Sequence, residues 1–323
     1  MSSPAPSPKR RRTDGPSGEE LTPIRSHIWK PFGDIVLQVE STQFRVSRDV
    51  LATQSPVFAD MFAVPQPPNE PTVEGCPVVT LSGDSAKDWE LLLGVLYEPF
   101  KDKVARSFDE IAAMLRLGRK YEIHTAEANA LERIRFEYPA EFNTWDDSSD
   151  SLTQIEEYEG LVFDLLSLAH EYGINSSVPT IAYEYVQDKI FTGIERPDKS
   201  LSTLSPELKQ IMALGFLEFM KFQHNAYSLL EDDTLVPSRS CANKPKCAEA
   251  RNVLRRLVAW NPHSAISTGC FALDRWGDYW FHGFCGGCTA LCKSALNESR
   301  VDAWEALPRF FGLPEWAGLK DMD

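Results

Sequence analysis

Residues 33–62 read GDIVLQVESTQFRVSRDVLATQSPVFADMF, and two patterns in this stretch decide the fold. Apolar residues recur at every second position on both sides of a Ser-Thr turn, which predicts a β-hairpin. These residues are Ile35, Leu37, Val39, Phe44 and Val46. Beyond the hairpin, the apolar spacing changes to that of a helix, and it does so twice. The stretch therefore predicts a hairpin followed by two short helices.

The two predicted helices have serines at their starts and apolar residues on one face. Ser47 and Ser55 stand where an N-cap side chain accepts a backbone N–H, and Pro56 fits the first helical position. Isolated helices shorter than ~12 to 15 residues are marginal in water, so these faces need cover from the domain or from a second copy. The candidate contact residues are Val50, Leu51, Phe58, Met61 and Phe62. We therefore predict self-association through this segment.

The residues that follow add one strand and several helices. The run PVVTL at 77–81 predicts a third strand. Ser85 with Asp88, and Ser107 with Glu110, have the spacing of capping boxes and predict two helix starts. A small strand layer followed by helices predicts an α+β fold.

Composition and charge restrict the function. The chain has 323 residues, 43% of them hydrophobic and 25% charged, which is typical of about two globular domains. Its formal net charge is −14; residues 1–26 hold five basic and three acidic side chains, so the remainder carries −16. An acidic body repels phosphate backbones. Direct nucleic-acid binding by the folded part is therefore disfavoured.

The chain divides by composition into four predicted regions. Residues 1–26, rich in Pro and Ser, are expected to be a disordered tail, and 27–125 to be a compact α+β domain. Residues 126–200 are predicted to be a helical extension, and 201–323 a mainly helical C-terminal region that contains a cysteine cluster. The last region closes with WEALPRFFGLPEWAGL, which is predicted to fold back as packing.

The N-terminal sequence also suggests a location. It lacks the short apolar core of a secretory signal, and the chain has no run of about 18 apolar residues, so we expect an intracellular protein outside the membrane. The only dense basic run in the tail is Lys9, Arg10, Arg11 and Arg12. It fits either a nuclear-import signal or a solvated charge cluster, so both nucleus and cytoplasm stay open.

One pattern repeats within the chain. The segments LRLGRKYEI (115–123) and LSLAHEYGI (166–174) share Leu, Leu, Tyr and Ile at equal spacing. Two copies are too few for a solenoid, which needs about three repeats to bury a continuous core. The repeat therefore predicts two related helix pairs.

The order of these motifs resembles the BTB/POZ domain. The resemblance rests on GDIVLQVESTQFRVSRDVLATQSPVFADMF, then VVTLSGDSAKDWELLLGVLYEP and IAAMLRLGRKYEI, over roughly 30–125. It implies a small sheet with a shell of helices, and a function in protein–protein interaction. The whole chain further resembles fungal BTB-domain proteins that have a long C-terminal half.

The resemblance also implies partners and a site. The family commonly has His-Arg where this chain has Ser47-Arg48, but Arg48 and Asp34 are retained. In many members such residues line a charged groove at a dimer interface, so Asp34 and Arg48 form a candidate groove pair; the alternative is a pair of solvated surface charges. The implied partners are a second copy and either a cullin or a corepressor.

Six of the seven cysteines lie between residues 241 and 292. The spacing CGGC lets two thiolates bind one zinc ion, and CANKPKC offers a second pair. The candidate ligands are Cys241, Cys247, Cys285 and Cys288. Buried structural thiols are the alternative, and a redox role for CGGC is disfavoured because no strand-to-helix unit is apparent around it.

Catalytic motifs are missing from the sequence. It has no phosphate-binding Gly-rich loop, no Gly-x-Ser-x-Gly and no His-Glu-x-x-His, and the pair Asp146–Asp147 is expected to be solvated in a polar link. We therefore predict a self-associating adaptor or regulator that is not an enzyme. The alternative is a zinc-binding or redox enzyme centred on the C-terminal cysteines.

Overall fold

The structure is a computed structural model. It describes residues 23–64, 71–98, 104–149, 151–187, 194–195, 201–230, 235–258 and 272–322. The basic run at 9–12, Cys270 and most of the predicted tail lie outside the described residues. Two compact units divide after Gly94.

The first unit is built on a five-stranded sheet. Its strand order is β1-β3-β2-β5-β4, with β1 and β4 at the edges. The pairs β2–β3 and β4–β5 are antiparallel, whereas β1–β3 and β2–β5 are parallel. The strands are β1 Ile24–Trp29, β2 Ile35–Val39, β3 Thr42–Val46, β4 Thr72–Val73 and β5 Cys76–Leu81.

The predicted hairpin is confirmed, with two differences in detail. Val39 pairs with Thr42, so the turn is Glu40–Ser41 rather than Ser41–Thr42. Glu40 has φ of 52°, the left-handed value that tight hairpin turns require. Val36 is buried as completely as its neighbours, so β2 is covered on both faces and not on one.

This unit has two helices between β3 and β4, α1 Arg48–Gln54 and α2 Pro56–Ala63, and a third, α3 Ala86–Tyr97, begins after β5. The Ser55 side chain accepts the Phe58 N–H at 3.1 Å, which confirms the predicted cap of α2. Ser47 is at the N-cap of α1, but its side chain makes no cap hydrogen bond, so that part of the prediction is wrong. The Asp34 carboxylate accepts the first N–H of α1, that of Arg48.

The sequence patterns missed the two edge strands. Because β1 begins at Ile24, the predicted end of the tail at residue 26 is wrong. Its sequence, IRSHIW, has only Ile28 buried, and an edge strand with one buried residue leaves no alternating pattern to detect. The strand β4 has only two residues.

The second unit is mainly helical. Its long helix α11 contacts α8 and α9, and α4 pairs with α5 as α7 does with α8. Its elements are α4 Phe108–Lys120, α5 His124–Glu137, α6 Phe142–Asp146, α7 Leu161–Glu171, α8 Val178–Gln187, β6 Ile194–Glu195, β7 Leu201–Ser202, α9 Pro206–Tyr227, α10 Lys244–Val258 and α11 Gly286–Phe310. The predicted α+β class with a helical C-terminal region is confirmed.

The internal repeat corresponds to two helix ends of the same kind. At the end of α4, the Ile123 N–H bonds to the Gly118 carbonyl at 2.8 Å, and at the end of α7 the Ile174 N–H bonds to the Ala169 carbonyl at 2.8 Å. Both are the long bond of a Schellman motif. The repeated isoleucine therefore closes a helix end in each pair.

The closing segment folds back onto the second unit, as predicted. The rings of Trp304 and Trp316 stack with centroids 4.8 Å apart. Further along, the Met322 N–H bonds to the Gly173 carbonyl at 2.9 Å. Within the described ranges, no helix combines the length and apolar character needed to cross a membrane.

Candidate functional site

Asp34 and Arg48, the predicted charged pair, lie together in the first unit. Asp34 Oδ1 accepts a hydrogen bond from the backbone N–H of Arg48 at 2.8 Å. Its other oxygen, Oδ2, lies 3.9 Å from Arg48 Nε. Because both side chains are partly exposed, such a pair contributes only ~0 to 1 kcal/mol to stability. The Arg48 guanidinium also lies over the Phe62 ring, 5.7 Å from its centroid.

The predicted contact residues of α1 and α2 differ in exposure. Leu51 and Phe58 have no exposed surface, and the Phe58 ring packs edge-on against Trp89. These two side chains therefore hold the helices in the core and offer no contact area to a partner. Val50, Met61 and Phe62 are half-buried, so part of each side chain is accessible.

The exposed apolar residues of this unit were missed by sequence reasoning. Phe32 is 97% exposed, Ile24 on the edge strand β1 is 62% exposed, and Val64 after α2 is 61% exposed. Two residues of chain span at most ~7 Å, so Phe32 stays close to Asp34. We call Phe32, Asp34, Arg48 and Phe62 the Asp34 surface. The available signal was a phenylalanine in the turn KPFG, outside any apolar periodicity.

The second candidate site is a four-cysteine cluster in the second unit. Its sulfur atoms all lie within 4.8 Å of one another, and the Sγ atoms of Cys241 and Cys285 are 3.7 Å apart. Its members are Cys241, Cys247, Cys285 and Cys288, the residues predicted from spacing. The fold thus brings the two sequence pairs together.

Two helix starts position the sulfurs. Cys247 lies in the first turns of α10, where Asn243 Oδ1 accepts the Lys246 N–H at 3.2 Å. Cys285 is the N-cap of α11, and Cys288 lies in its first turn. Helix N-termini carry a partial positive charge that stabilises thiolates. The cluster therefore lies where two such fields meet.

Backbone N–H groups point at the sulfur atoms. The Cys285 N–H donates to Cys247 Sγ at 3.2 Å, and the Ser238 N–H donates to Cys288 Sγ at 3.4 Å. Backbone hydrogen bonds from Cys288 and then Ala242 lower the pKa of the Cys285 thiol to about 6. The Cys285 sulfur therefore ionises readily at neutral pH.

The thiols of Cys241 and Cys292 do not share this ease of ionisation. Burial, with hydrogen bonds among the neighbouring sulfurs, raises the pKa of Cys241 to about 12. Burial also raises the pKa of Cys292, which lies one turn beyond Cys288 on α11, to about 11. A second thiolate beside Cys285 is thus costly unless a cation balances the charge.

The cluster lies at the edge of a small hydrophobic core. Cys288 and Cys292 are fully buried there, whereas Cys241 and Cys285 are half-buried. His282 is exposed and does not belong to the cluster. The core contains Tyr227, Leu230, Val236, Cys247, Leu254, Phe281, Cys288, Cys292 and Leu296.

A polar cavity of about 1050 Å³ lies elsewhere in the same unit. Asp146 borders it and binds Arg275 Nε at 2.9 Å as well as the Arg300 guanidinium. The expectation that both members of the pair at 146–147 are solvated is therefore wrong for Asp146. Burial opposes ionisation, but the bonds from the two arginines outweigh it and lower the pKa of Asp146.

This cavity has a second carboxylate, the half-buried Asp274. Burial raises its pKa to about 6, although Tyr183 Oη and Gln187 Nε2 donate to it at 3.2 and 3.3 Å. No motif in the sequence marks these residues, because they come from separate helices and loops. Such a constellation has no short spacing that sequence reasoning can find.

Comparison with known families identifies part of the chain. Residues 27–135 match the family model of the BTB/POZ domain. This region extends ten residues beyond the predicted boundary at 125 and takes in most of α5. No curated protein matches the chain. The matched region ends before the C-terminal half, so the likeness to fungal BTB-domain proteins stays a prediction.

Proposed function

We propose that this protein, whose residues 27–135 form a BTB/POZ domain, is a self-associating adaptor or regulator. The BTB/POZ domain is a module for protein–protein interaction. Self-association and an adaptor role are the specific form that we propose for it here. In this proposal, one copy pairs with a second through the first unit and the assembly binds another protein.

The Asp34 surface carries this proposal. Phe32 is almost fully exposed, and the half-buried ring of Phe62 lies beside the Arg48 guanidinium. Burial of a phenylalanine side chain is favourable by about 1.5–3 kcal/mol, and an exposed ring does not gain this free energy. A surface that combines apolar rings with a charge pair is typical of interaction sites, which have an apolar centre and a polar rim.

A second copy is the occupant that fits the exposed residues of the sheet edge. The strand β1 is at one edge and exposes Ile24 there. Edge strands with apolar side chains favour pairing with another chain. Asp34 and Arg48 have opposite charges, so two copies related by a two-fold axis can pair Asp34 of one with Arg48 of the other.

The proposal includes the absence of catalysis by this chain. BTB/POZ domains are typically interaction modules without enzymatic activity, and the sequence has none of the nucleophile or phosphate-binding motifs named above.

Light scattering coupled to size exclusion tests self-association. We expect the full-length chain to be a dimer or larger at micromolar concentration. Phe32→Ser should weaken self-association about tenfold or more, because each copy loses an aromatic contact. Since Phe32 is exposed, the variant should keep its helical circular dichroism.

Phe136→Ser is the matched control. Phe136 is 60% exposed on α5 and lies just outside the matched region. We expect this variant to associate like the unmodified chain. A monomeric unmodified chain, or equal effects of the two substitutions, would contradict the role of the Asp34 surface.

The further partner is a cullin or a corepressor in this proposal, on family resemblance alone. Purified cullin and a corepressor peptide can be compared directly for binding to the full-length chain. Saturable binding of one of them assigns the branch. Binding of neither contradicts this part of the proposal and leaves self-association to be judged by light scattering.

A further inference from the structure

We infer that the four-cysteine cluster binds one structural zinc ion, which joins the starts of α10 and α11. This inference goes beyond the interaction function, since it concerns the C-terminal half of the chain. The positions of the sulfur atoms, the groups that surround them and the small core that they border all favour such an ion.

The sulfur positions fit a tetrahedral ion. Zinc–sulfur bonds of about 2.3 Å in tetrahedral geometry place the sulfur atoms about 3.8 Å apart. Cys241 Sγ and Cys285 Sγ are 3.7 Å apart, and all four sulfurs lie within 4.8 Å of one another. Small side-chain rotations therefore suffice to bring the cluster to ligand geometry.

The surroundings of the sulfurs fit thiolates rather than thiols. Neutral thiols are weak acceptors, yet the N–H groups of Cys285 and Ser238 donate to the sulfurs of Cys247 and Cys288. Four thiolates around a divalent cation have a net charge of −2. These N–H donors and the N-termini of two helices stabilise that charge.

A disulfide or a redox pair explains the arrangement less well. A disulfide requires sulfur atoms about 2.05 Å apart, and the six cysteines that the structure describes are free. A redox site at CGGC would use Cys285 and Cys288 only. It would leave Cys241 and Cys247 without a reason to converge on the same point.

The donor set indicates a structural ion. Four protein ligands fill the tetrahedral positions, so no position stays open for water or substrate. Four sulfur ligands favour zinc or a single iron among the common metals. Binding releases the protons that the thiols still hold, so it needs no oxidant or reductant.

The ion would stabilise a region with little core of its own. The core beside the cluster is made by the end of α9, by α10 and α11, and by the short segments that contain Leu230, Val236 and Phe281. Small cores of this kind often need a disulfide or a metal to be stable. Zinc would fix Cys241 and Cys247 against the start of α11.

Elemental analysis of the full-length, tag-free protein tests the inference. We expect one zinc ion per chain. Cys247→Ser and Cys285→Ser, one from each sequence pair, should each lose this zinc and lower the melting temperature. A strong zinc chelator should lower the melting temperature of the unmodified chain toward that of the variants.

Two other cysteines supply matched controls. Cys292→Ser changes a buried thiol in the same core, and Cys76→Ser changes a buried thiol in the first unit. Both variants should keep one zinc per chain. Cobalt exchanged for zinc in the unmodified chain should give the absorption bands of tetrahedral sulfur ligation, a readout that does not depend on whether a variant folds.

Several results would overturn the inference. If the folded, unmodified chain contains no zinc, the four residues are buried thiols. If it contains iron instead, the inference of zinc is wrong. Zinc that is kept in Cys247→Ser and Cys285→Ser is adventitious. A loss of two hydrogen masses in the unmodified chain, without metal, indicates a disulfide between two members of the cluster.

Discussion

The Asp34 carboxylate caps helix α1 by accepting the backbone N–H of Arg48 at 2.8 Å, fourteen residues along the chain. The first N–H groups of a helix have no partner within the helix and need an acceptor from elsewhere. Because Asp34 directly precedes β2, this bond ties the sheet to the helix that follows the hairpin. An aspartate expected to serve partner binding therefore also has a structural role.

Replacement of Asp34 separates these two roles. Asp34→Ala removes the acceptor and should lower the free energy of unfolding by about 1 kcal/mol, as loss of an N-terminal cap does. Asp34→Asn keeps an acceptor oxygen but removes the charge, so it should cost less stability. Urea denaturation of the two variants measures the difference. Equal losses would show that the charge, and not the cap, stabilises this junction.

Much of the first unit could be predicted from the sequence because its signals are local. The alternation in β2 and β3 and the cap at Ser55 each depend on residues within a few positions of one another. The edge strand β1 was not predicted, because its pairing with β3 is not a local signal and because only one of its side chains is buried. The distant cap by Asp34 escaped because no local pattern connects it with Arg48.

At the two related helix ends, we expect opposite effects on stability from a substitution that removes a glycine and from one that introduces a glycine. Gly173 follows α7 with φ of 62°, and Glu122 follows α4 with φ of 52°. A side chain at such φ is strained, by about 1–2 kcal/mol. We expect Gly173→Ala to be destabilising, since its Cβ would also lie 2.8 Å from the Met322 side chain. Glu122→Gly should be neutral or stabilising.

Thermal unfolding of these two variants is the measurement. The contrast has a built-in control, because the same backbone position is tested in both copies of the repeat. If Glu122→Gly lowers the melting temperature as much as Gly173→Ala does, then contacts of the Glu122 side chain outweigh the backbone strain at this helix end.

The candidate sites differ in how far the sequence predicted them. Cys285 and Cys288 are separated by two residues, which is the spacing of a metal-ligand pair. The fold places the other two cysteines beside them. The carboxylate–arginine contacts of Asp146 with Arg275 and Arg300 join residues more than 120 positions apart. Only tertiary structure brings such residues together. The expectation that Asp146 and Asp147 are both solvated was therefore wrong for Asp146.

The half-buried carboxylate of Asp274 should make stability depend on pH. Burial raises its pKa in the folded chain to about 6, against about 3.9 in an unfolded chain. The folded state thus holds a proton that the unfolded state releases, so this contribution to stability is present below about pH 4 and is lost as the pH rises through about 6.

The variant Asp274→Asn has no carboxyl group at this position, so it does not lose stability through this ionisation. The melting temperature of the variant minus that of the unmodified chain should therefore rise between about pH 4 and pH 6 and level off above, with the low-pH value as the internal control. A difference that stays constant over this range would mean that Asp274 is ionised in the folded chain throughout.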